Sequence, residues 1–217
     1  MKKNYEMDMC SGPILGKLLT FTIPLIFSGI LQLLFNAADV IVVGRFAGSQ
    51  SLAAVGSTTA LINLMINIFI GLSVGVNVIV ARYYGAKREK DVQDTIHTAM
   101  ALSIVSGLFL IVMGQLLSRP MLELMGTPDD VIDKSTIYMR IIFIGMPANM
   151  IYNFGSAILR AVGDTKRPLY FLTAAGVINV VLNLFFVIMF QMDVAGVALA
   201  TAISQAISAC LVILCLM

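Results

Sequence analysis

Long uncharged stretches separated by short charged connections make up almost the whole of this chain. Asp39 is the one charge between positions 18 and 44, and five further uncharged runs follow, at 46–81, 95–118, 141–159, 168–192 and 194–217. Each run is close to or longer than the roughly 20 residues that a helix needs to cross a bilayer. None alternates apolar and polar residues as a membrane β-barrel strand does. The pattern therefore predicts an all-α polytopic membrane protein with six transmembrane helices.

The connections between the runs carry turn and cap residues that place the ends of the helices. The spans are predicted at approximately 15–44, 52–81, 95–118, 136–160, 168–191 and 194–217. Before span 4, Thr127 is predicted as the helix N-cap and Pro128 as the first helical residue. Pro147 lies inside span 4 and predicts a kink there. Four glycines within the spans are predicted as points of close helix packing: Gly71, Gly75, Gly107 and Gly176.

Composition supports the membrane class and removes several alternatives. Hydrophobic residues make up 59% of the chain and charged residues 12%, and the mean hydropathy is +0.95. These values lie outside the range of soluble domains. The cysteines Cys10, Cys210 and Cys215 have neither disulfide nor metal spacing. No phosphate-binding loop or catalytic motif occurs, so we expect neither an enzyme nor a nucleotide-driven pump, and no cofactor.

The basic residues are divided unequally between the two predicted sides of the membrane. Ten of the fourteen lie in the N-terminal segment and in the loops after spans 2 and 4, and four lie on the opposite side. The positive-inside rule then places both ends of the segment in the cytoplasm. The basic loops are explained by topology, and no nucleic-acid partner is expected.

Polar side chains recur at helical spacing inside the spans. Gln32, Asn36 and Asp39 fall near one face of span 1, and amide pairs four residues apart occur in later spans at Asn63/Asn67, Asn149/Asn153 and Asn179/Asn183. Span 6 carries Thr201, Ser204, Gln205 and Ser208 on adjacent faces. Because lipid offers no hydrogen bonds, these side chains must face protein or water.

Two interpretations of the polar residues stay open at this point. Asp39 can lie at the membrane interface near Arg45, and the amide pairs can serve only as hydrogen-bonding contacts between helices. Alternatively, Asp39 is a carboxylate that desolvation makes easier to protonate, placed among amides and hydroxyls. Such a group can exchange a proton or hold a small cation, as ion-coupled transporters require.

Several stretches together resemble the multidrug and toxic compound extrusion (MATE) family. They are "LLTFTIPLIFSGILQLLFNAADVIVVGRFAGSQSLAAVG" (18–56), "GLSVGVNVIVARYYGAKREKDV" (71–92), "YMRIIFIGMPANMIYNFGSAILRAVGDTKRPL" (138–169), "INVVLNLFFV" (178–187) and "DVAGVALATAISQ" (193–205). The resemblance implies that residues 1–217 form the N-terminal six-helix lobe of a two-lobe (6+6) transporter in a bacterial-type plasma (inner) membrane. The chain ends inside an apolar run, so we expect that a C-terminal lobe is missing.

The resemblance also implies an activity and a site. The activity is efflux of amphipathic, often cationic small molecules in exchange for H⁺ or Na⁺. The family's N-lobe cation site matches Asp39, Asn179 and Thr201 here, while Asn183 stands where an aspartate is common. One carboxylate instead of two weakens the expectation of Na⁺ at these four residues and favours proton coupling. Tyr138 matches a family tyrosine and is expected, with Gln32, Asn36, Asn149 and Asn153, around the site or the substrate cavity.

Two alternative functions remain. The first is a lipid or lipid-linked sugar flippase of the same superfamily, for which cationic residues deep in the spans would be expected. The second is a non-transporting membrane subunit in which Asp39 lies at the interface.

Overall fold

The computed structural model describes residues 14–217, and it is helical almost throughout. The helices are α1 (Ile14–Val42), α2 (Ser49–Gly85), α3 (Glu89–Leu124), α4 (Asp129–Ile144), α5 (Met146–Ala161), α6 (Lys166–Leu184) and α7 (Asp193–Leu216). A π-helical turn extends α1 over Val43–Ala47, and another extends α6 over Phe185–Met189. Lys2, Lys3 and Cys10, on which part of the sequence predictions rests, lie outside the described residues.

The prediction of six spans is confirmed, with one span made of two helices. α1 with its π-helical turn, α2, α3, α6 with its π-helical turn, and α7 are each long and apolar enough to cross a membrane. α4 and α5 are bent by 48° relative to each other and, taken together as one broken span, are also long and apolar enough to cross a membrane. The bend follows from Pro147 in the first turn of α5, because proline has no N–H to continue the hydrogen-bond ladder of α4. The kink predicted at Pro147 is therefore present.

The predicted start of span 4 is displaced. α4 begins at Asp129, and its N-cap residue is Pro128, with an extended ψ of 145° and no side-chain cap. The backbone N–H groups of Val131 and Ile132 donate to the Pro128 carbonyl, both at 3.0 Å. The prediction of Thr127 as the N-cap is wrong because Pro128 itself takes the extended conformation at the helix boundary.

α5 lies at the centre of the lobe, against α2, α3 and α7, while α1 lies at its edge and packs mainly on α6. Bulky side chains of α4 and α5, among them Phe143, Met150 and Phe154, are fully buried at the centre. The outward faces of α1, α2 and α3 instead expose leucine, isoleucine, valine and phenylalanine over most of their length. An apolar exterior around a packed interior suits lipid as the surrounding solvent.

Close helix packing depends on two of the four predicted glycines. A Cβ added to Gly107 would overlap the backbone of Pro147, and one added to Gly176 would overlap the ring of Phe35. At Gly71 and Gly75 an added Cβ would meet nothing within 4 Å. The prediction is thus confirmed for Gly107 and Gly176 and is wrong for Gly71 and Gly75 within this lobe, because none of the described helices packs against α2 at these two positions.

Gly107→Ala is expected to destabilise the lobe by about 1–3 kcal/mol, the usual range for overpacking. The new methyl group would meet the Pro147 backbone, which cannot rotate away as a side chain can. Gly29→Ala is the matched control, since an added Cβ there meets nothing within 4 Å. Thermal unfolding of the purified protein in detergent measures both. An unchanged midpoint for Gly107→Ala would contradict the described contact between α3 and α5.

The two ends of the bundle are held by different ionic groups. At the end where α2 begins, Lys134 Nζ lies 2.7 Å from Asp193 Oδ2, and Ser51 Oγ donates to Asp193 Oδ1 at 2.7 Å. These contacts join α2, α4 and α7. At the opposite end, which we call the basic end, the loop between α5 and α6 buries Asp164 completely, and Arg167 Nε lies 3.3 Å from Asp164 Oδ2.

Candidate functional site

A polar cavity opens between α1, α5, α6 and α7. Its volume is about 120 Å³. Apolar lining comes from Phe35, Leu172, Ala175 and Gly176; the remaining lining residues are polar, namely Gln32, Asn36, Asp39, Asn149, Tyr152, Asn153, Asn179, Thr201, Ser204, Gln205 and Ser208. A cavity with this lining in a membrane bundle can admit water and bind a polar or charged group.

A chain of hydrogen bonds runs from α1 across α6 to α7 at the edge of this cavity. Asn183 Nδ2 donates to Asp39 Oδ1 and, at 3.1 Å, to Asn179 Oδ1. Asn179 Nδ2 in turn donates to Thr201 Oγ1 at 3.2 Å, and the Thr201 hydroxyl donates to the Val197 carbonyl at 3.0 Å. The four residues matched to the family's cation site are therefore in contact as one network.

Helix geometry and close packing bring these residues together. Asn179 and Asn183 are one turn apart on α6, so both amides reach the same side of the helix. Gly176, one turn earlier, leaves room for the Phe35 ring and lets α1 lie close to α6. Asp39 follows Phe35 by one turn on α1, and this approach places its carboxylate against Asn183. A larger residue at position 176 would push the carboxylate away from the amides.

One buried acceptor oxygen of this network receives no hydrogen bond. Asn183 is fully buried, and its Oδ1 has no hydrogen-bond partner among residues 14–217. Buried polar atoms are nearly always paired, so an unpaired oxygen beside a carboxylate indicates room for a proton, a small cation or a water. One carboxylate among neutral oxygens suits a monovalent rather than a divalent ion. The described residues contain no group of three His, Cys, Asp or Glu side chains that could hold a metal ion.

Asp39 is directed into the lobe. Its side chain is partly buried and contacts α6, whereas Arg45, its suggested interface partner, is exposed. Among residues 14–217, neither Asp39 nor Arg45 forms an ion pair. The geometry therefore favours the cavity interpretation of Asp39 over the interface interpretation.

The other predicted residues divide into those that line the cavity and one that does not. Gln32 and Asn36 line it from α1, and Asn149 and Asn153 line it from α5. Asn153 Nδ2 donates to the Asn149 backbone carbonyl at 2.9 Å and to Asn149 Oδ1 at 2.8 Å. Tyr138 is buried on α4 and is not a lining residue. Its assignment near the site stays a prediction.

Sequence reasoning missed Tyr152. It lines the cavity from α5, and its hydroxyl donates to the Pro168 carbonyl of α6 at 3.2 Å. The available signal was its position three residues after Asn149, on the same face of the helix. The polar cluster of span 6 also contributes to the cavity, since Ser204, Gln205 and Ser208 all line it.

A carboxylate at the edge of a polar cavity within a bundle of membrane helices is typical of proteins that move ions or small molecules across the membrane. The sequence model of the MatE family matches residues 24–185. The probable multidrug resistance proteins YoeA and YpnP of Bacillus subtilis (strain 168) are 35% identical over 188 residues and 31% identical over 201 residues. The chain therefore belongs to the MatE (multidrug and toxic compound extrusion) family, whose members are transporters and not enzymes.

The comparisons cover most of this chain but less than half of the relatives. YoeA is matched over 85% of this chain and 41% of its own length, and YpnP over 93% and 45%. A solved outward-facing structure of a multidrug resistance MATE family transporter superimposes with a TM-score of 0.87 at 26% identity, over 93% of this chain and 44% of that one. The described fold is thus one lobe of a MATE fold.

Proposed function

We propose that this chain is the cation-coupling lobe of a transporter that expels amphipathic, mostly cationic small molecules in exchange for protons. The observation that carries the proposal is the contact of the Asp39 carboxylate with Asn183 at the edge of a polar cavity. A carboxylate there can hold either a proton or the positive charge of a substrate, and competition between them couples the two movements. The relatives YoeA and YpnP are named probable multidrug resistance proteins, which supports small-molecule drugs as the cargo.

The proposed membrane is a bacterial-type plasma membrane, with the basic end in the cytoplasm. The support is the excess of lysine and arginine in the loops of that end. The complete transporter is proposed to contain two six-helix lobes, since this chain spans less than half the length of its relatives. The polar cavity, which opens at the edge of one lobe, would then face the second.

The direct test is transport into vesicles that contain the protein. Ethidium, a fluorescent amphipathic cation, is supplied under an imposed pH gradient or under a sodium gradient at equal pH. We expect ethidium to accumulate on the side with the higher proton concentration, because protons flow out of that side as ethidium enters it. The sodium gradient should change the rate of ethidium transport little. Ethidium movement that ignores both gradients would overturn cation antiport. Movement of a fluorescent phospholipid without ethidium would favour the flippase alternative.

Asn183→Asp is expected to shift the coupling from protons towards sodium. The second carboxylate would remove the amide N–H that Asp39 now accepts and would double the formal charge of the site, which favours a bound cation. We expect sodium to stimulate ethidium transport by the variant about tenfold more than by the unmodified protein. Asn153→Asp, on the α5 side of the same cavity, is the matched control. Equal sodium responses in the two variants would contradict the assignment of Asn183.

A further inference from the structure

One face of α5 continues the polar lining of the cavity as far as the basic end. Asn149 and Asn153 line the cavity from this face, and Ser156 and Arg160 follow them along the helix. On a helix of 3.6 residues per turn the four residues fall within an arc of about 60° and extend over about 16 Å. Arg160 is the second-last residue of α5. We call this surface the α5 polar face.

Ser156, in the middle of the basic half of this face, has a buried hydroxyl group without a hydrogen bond. It is 1% exposed, and its Oγ has no hydrogen-bond partner among residues 14–217. By contrast, Ser204 and Ser208 on α7 each donate to a carbonyl of their own helix at 2.9 Å. Buried hydroxyl groups are nearly always paired, either with protein or with an ordered water. The hydroxyl of Ser156 therefore needs a partner that this conformation does not supply.

The missing partner of Ser156 has to be small. The described helices bury this side chain almost completely, so only a group that fits between them can reach its hydroxyl. The Tyr152 hydroxyl lies near Ser156 Oγ, but no hydrogen bond of normal geometry joins the two. Water satisfies both conditions, because it is small and it can donate or accept.

Arg160 has a similar deficit one turn further on. Its Nε is out of contact with solvent and has no hydrogen-bond partner in the described part of the chain. The buried carboxylate of the following loop, Asp164, is paired with Arg167 and not with Arg160. Two unpaired buried groups, adjacent on the face that leads out of the cavity, indicate where water enters when the surrounding helices separate.

Tyr152 closes the space between the cavity and Ser156. Its side chain lines the cavity, and its hydroxyl donates to the Pro168 carbonyl in the first turn of α6 at 3.2 Å. This contact lies on the basic-end side of the cavity, because α6 begins at that end. The distance is longer than usual for an O–H donor, so the contact is weak. A small movement of α6 away from α5 would break it.

We propose that the proton exchanged at Asp39 leaves towards the basic end through water that enters between α5 and α6, past Tyr152 and along the α5 polar face. This rests on the proposed function and deepens it by naming the route and the side of proton release. The Asp39 carboxyl gives its proton to cavity water, and hydrogen-bonded waters carry the proton past Ser156. The carboxylate that remains attracts the substrate cation. In the described conformation the contact of Tyr152 with Pro168 keeps this passage closed.

The charges near the end of the passage suit a proton better than a bound metal ion. Asp164 and Arg167 largely neutralise each other as an ion pair, so the uncompensated charge beside the passage is that of Arg160. A positive charge raises the energy of any cation that stays close to it. A proton moves along hydrogen-bonded water and does not need to stay there, whereas a sodium ion would need ligands along the way.

Cysteine accessibility tests the passage in the full chain, reconstituted in sealed vesicles. In a background of Cys10→Ser, Cys210→Ser and Cys215→Ser, we introduce Ser156→Cys or the matched control Ala157→Cys. Ala157 is equally deep and 5% exposed, but it faces α2, from which its carbonyl accepts a hydrogen bond. One side of the vesicles is exposed to silver ions or to a negatively charged methanethiosulfonate. Thiols that remain free are then labelled after unfolding of the protein.

Two probes of opposite charge are used because Arg160 repels one and attracts the other. Lys166→Cys, at an exposed position at the start of α6, identifies the side of the basic end. From that side we expect Ser156→Cys to lose its free thiol to at least one probe and Ala157→Cys to keep it. Protection of Ser156→Cys from both probes, reaction from the opposite side only, or equal reaction of the two variants overturns the proposal.

Tyr152→Phe provides a second, independent measurement. It removes the hydroxyl that donates to Pro168 and leaves the ring in place. The loss of one ordinary hydrogen bond predicts that Ser156→Cys reacts about fivefold faster in this variant. Tyr170→Phe, at an exposed position of α6, is the control and should leave the rate unchanged. An unchanged rate in Tyr152→Phe, or an equal rise in both variants, overturns the closure at Tyr152.

Filling the passage tests its part in proton release. Full modification of Ser156→Cys by the methanethiosulfonate places a bulky group in the passage and should slow proton-driven ethidium transport at least about tenfold. The same modification of Lys166→Cys should leave the rate unchanged. If modified Ser156→Cys transported ethidium as fast as before, the proton would leave by another route and the proposal would be overturned.

The two proposals fail in different ways, because accessibility is measured without transport. Proton-coupled ethidium transport by a protein whose Ser156→Cys thiol stays protected would support the proposed function and refute the passage. A reactive Ser156→Cys thiol in a protein that does not exchange protons for ethidium would refute the proposed function, and the release of a proton through the passage would be refuted with it.

Discussion

Asp39→Asn is expected to abolish ethidium transport against a gradient, reducing it to the level of vesicles without the protein. Asparagine has nearly the shape of aspartate, and its Oδ1 can still accept the hydrogen bond from Asn183. The variant should therefore fold and keep its cavity. It cannot, however, exchange a proton, because an amide does not titrate in this range. The expected loss thus concerns coupling and not architecture.

Controls separate loss of coupling from loss of structure. Asp129→Asn removes an exposed carboxylate in the first turn of α4 and should leave transport unchanged. The thermal midpoint of Asp39→Asn should stay close to that of the unmodified protein. If Asp39→Asn transported ethidium against its gradient as fast as the unmodified protein, Asp39 would not be the coupling group. The interpretation of Asp39 as a residue at the membrane interface would then be favoured.

Asp164→Asn is expected to cost about 3 kcal/mol or more in stability, the range for breaking a buried ion pair by removing one partner. Asp164 is fully buried, Arg167 Nε lies 3.3 Å from its Oδ2, and the Arg167 backbone N–H donates to its Oδ1 at 3.1 Å. The substitution leaves the guanidinium in a largely buried position without its counter-charge. Since Arg167 is in the first turn of α6, the loss should weaken the junction between α5 and α6.

Thermal unfolding and limited proteolysis of the purified protein measure this effect. We expect a midpoint lower by several degrees and new cleavage between α5 and α6 for Asp164→Asn. The exposed ion pair of Arg119 with Asp133 provides the control, since surface pairs contribute only about 0–1 kcal/mol. If Asp164→Asn and Asp133→Asn changed the midpoint equally, the buried pair would have no special role in the fold.

The number and order of the spans could be predicted from the sequence because each span is a long uncharged run. The position of Gln32, Asn36 and Asp39 near one face of span 1 could be predicted as well, because helical spacing determines it. The division of span 4 could be anticipated only as a kink at Pro147. Its size depends on how α4 and α5 pack against α2, α3 and α7, which local sequence does not contain.

Contacts between helices were harder to predict than positions within helices. The contact of Asp39 with Asn183 depends on the approach of α1 to α6 over Gly176, and spacing along one helix says nothing about it. Family resemblance supplied that pairing. The four glycines had equal standing in the sequence, yet two lie against neighbouring helices and two are uncovered. Only the arrangement of the whole bundle distinguishes them.

Proton release on substrate binding tests the central claim most directly, because it requires neither a gradient nor a completed transport cycle. Ethidium is added to the purified protein in a weakly buffered detergent solution that contains a pH indicator. If Asp39 exchanges a proton for the substrate cation, the unmodified protein releases protons on addition of ethidium, and Asp39→Asn releases none. Equal release by both proteins would contradict the assignment of Asp39 as the coupling carboxylate.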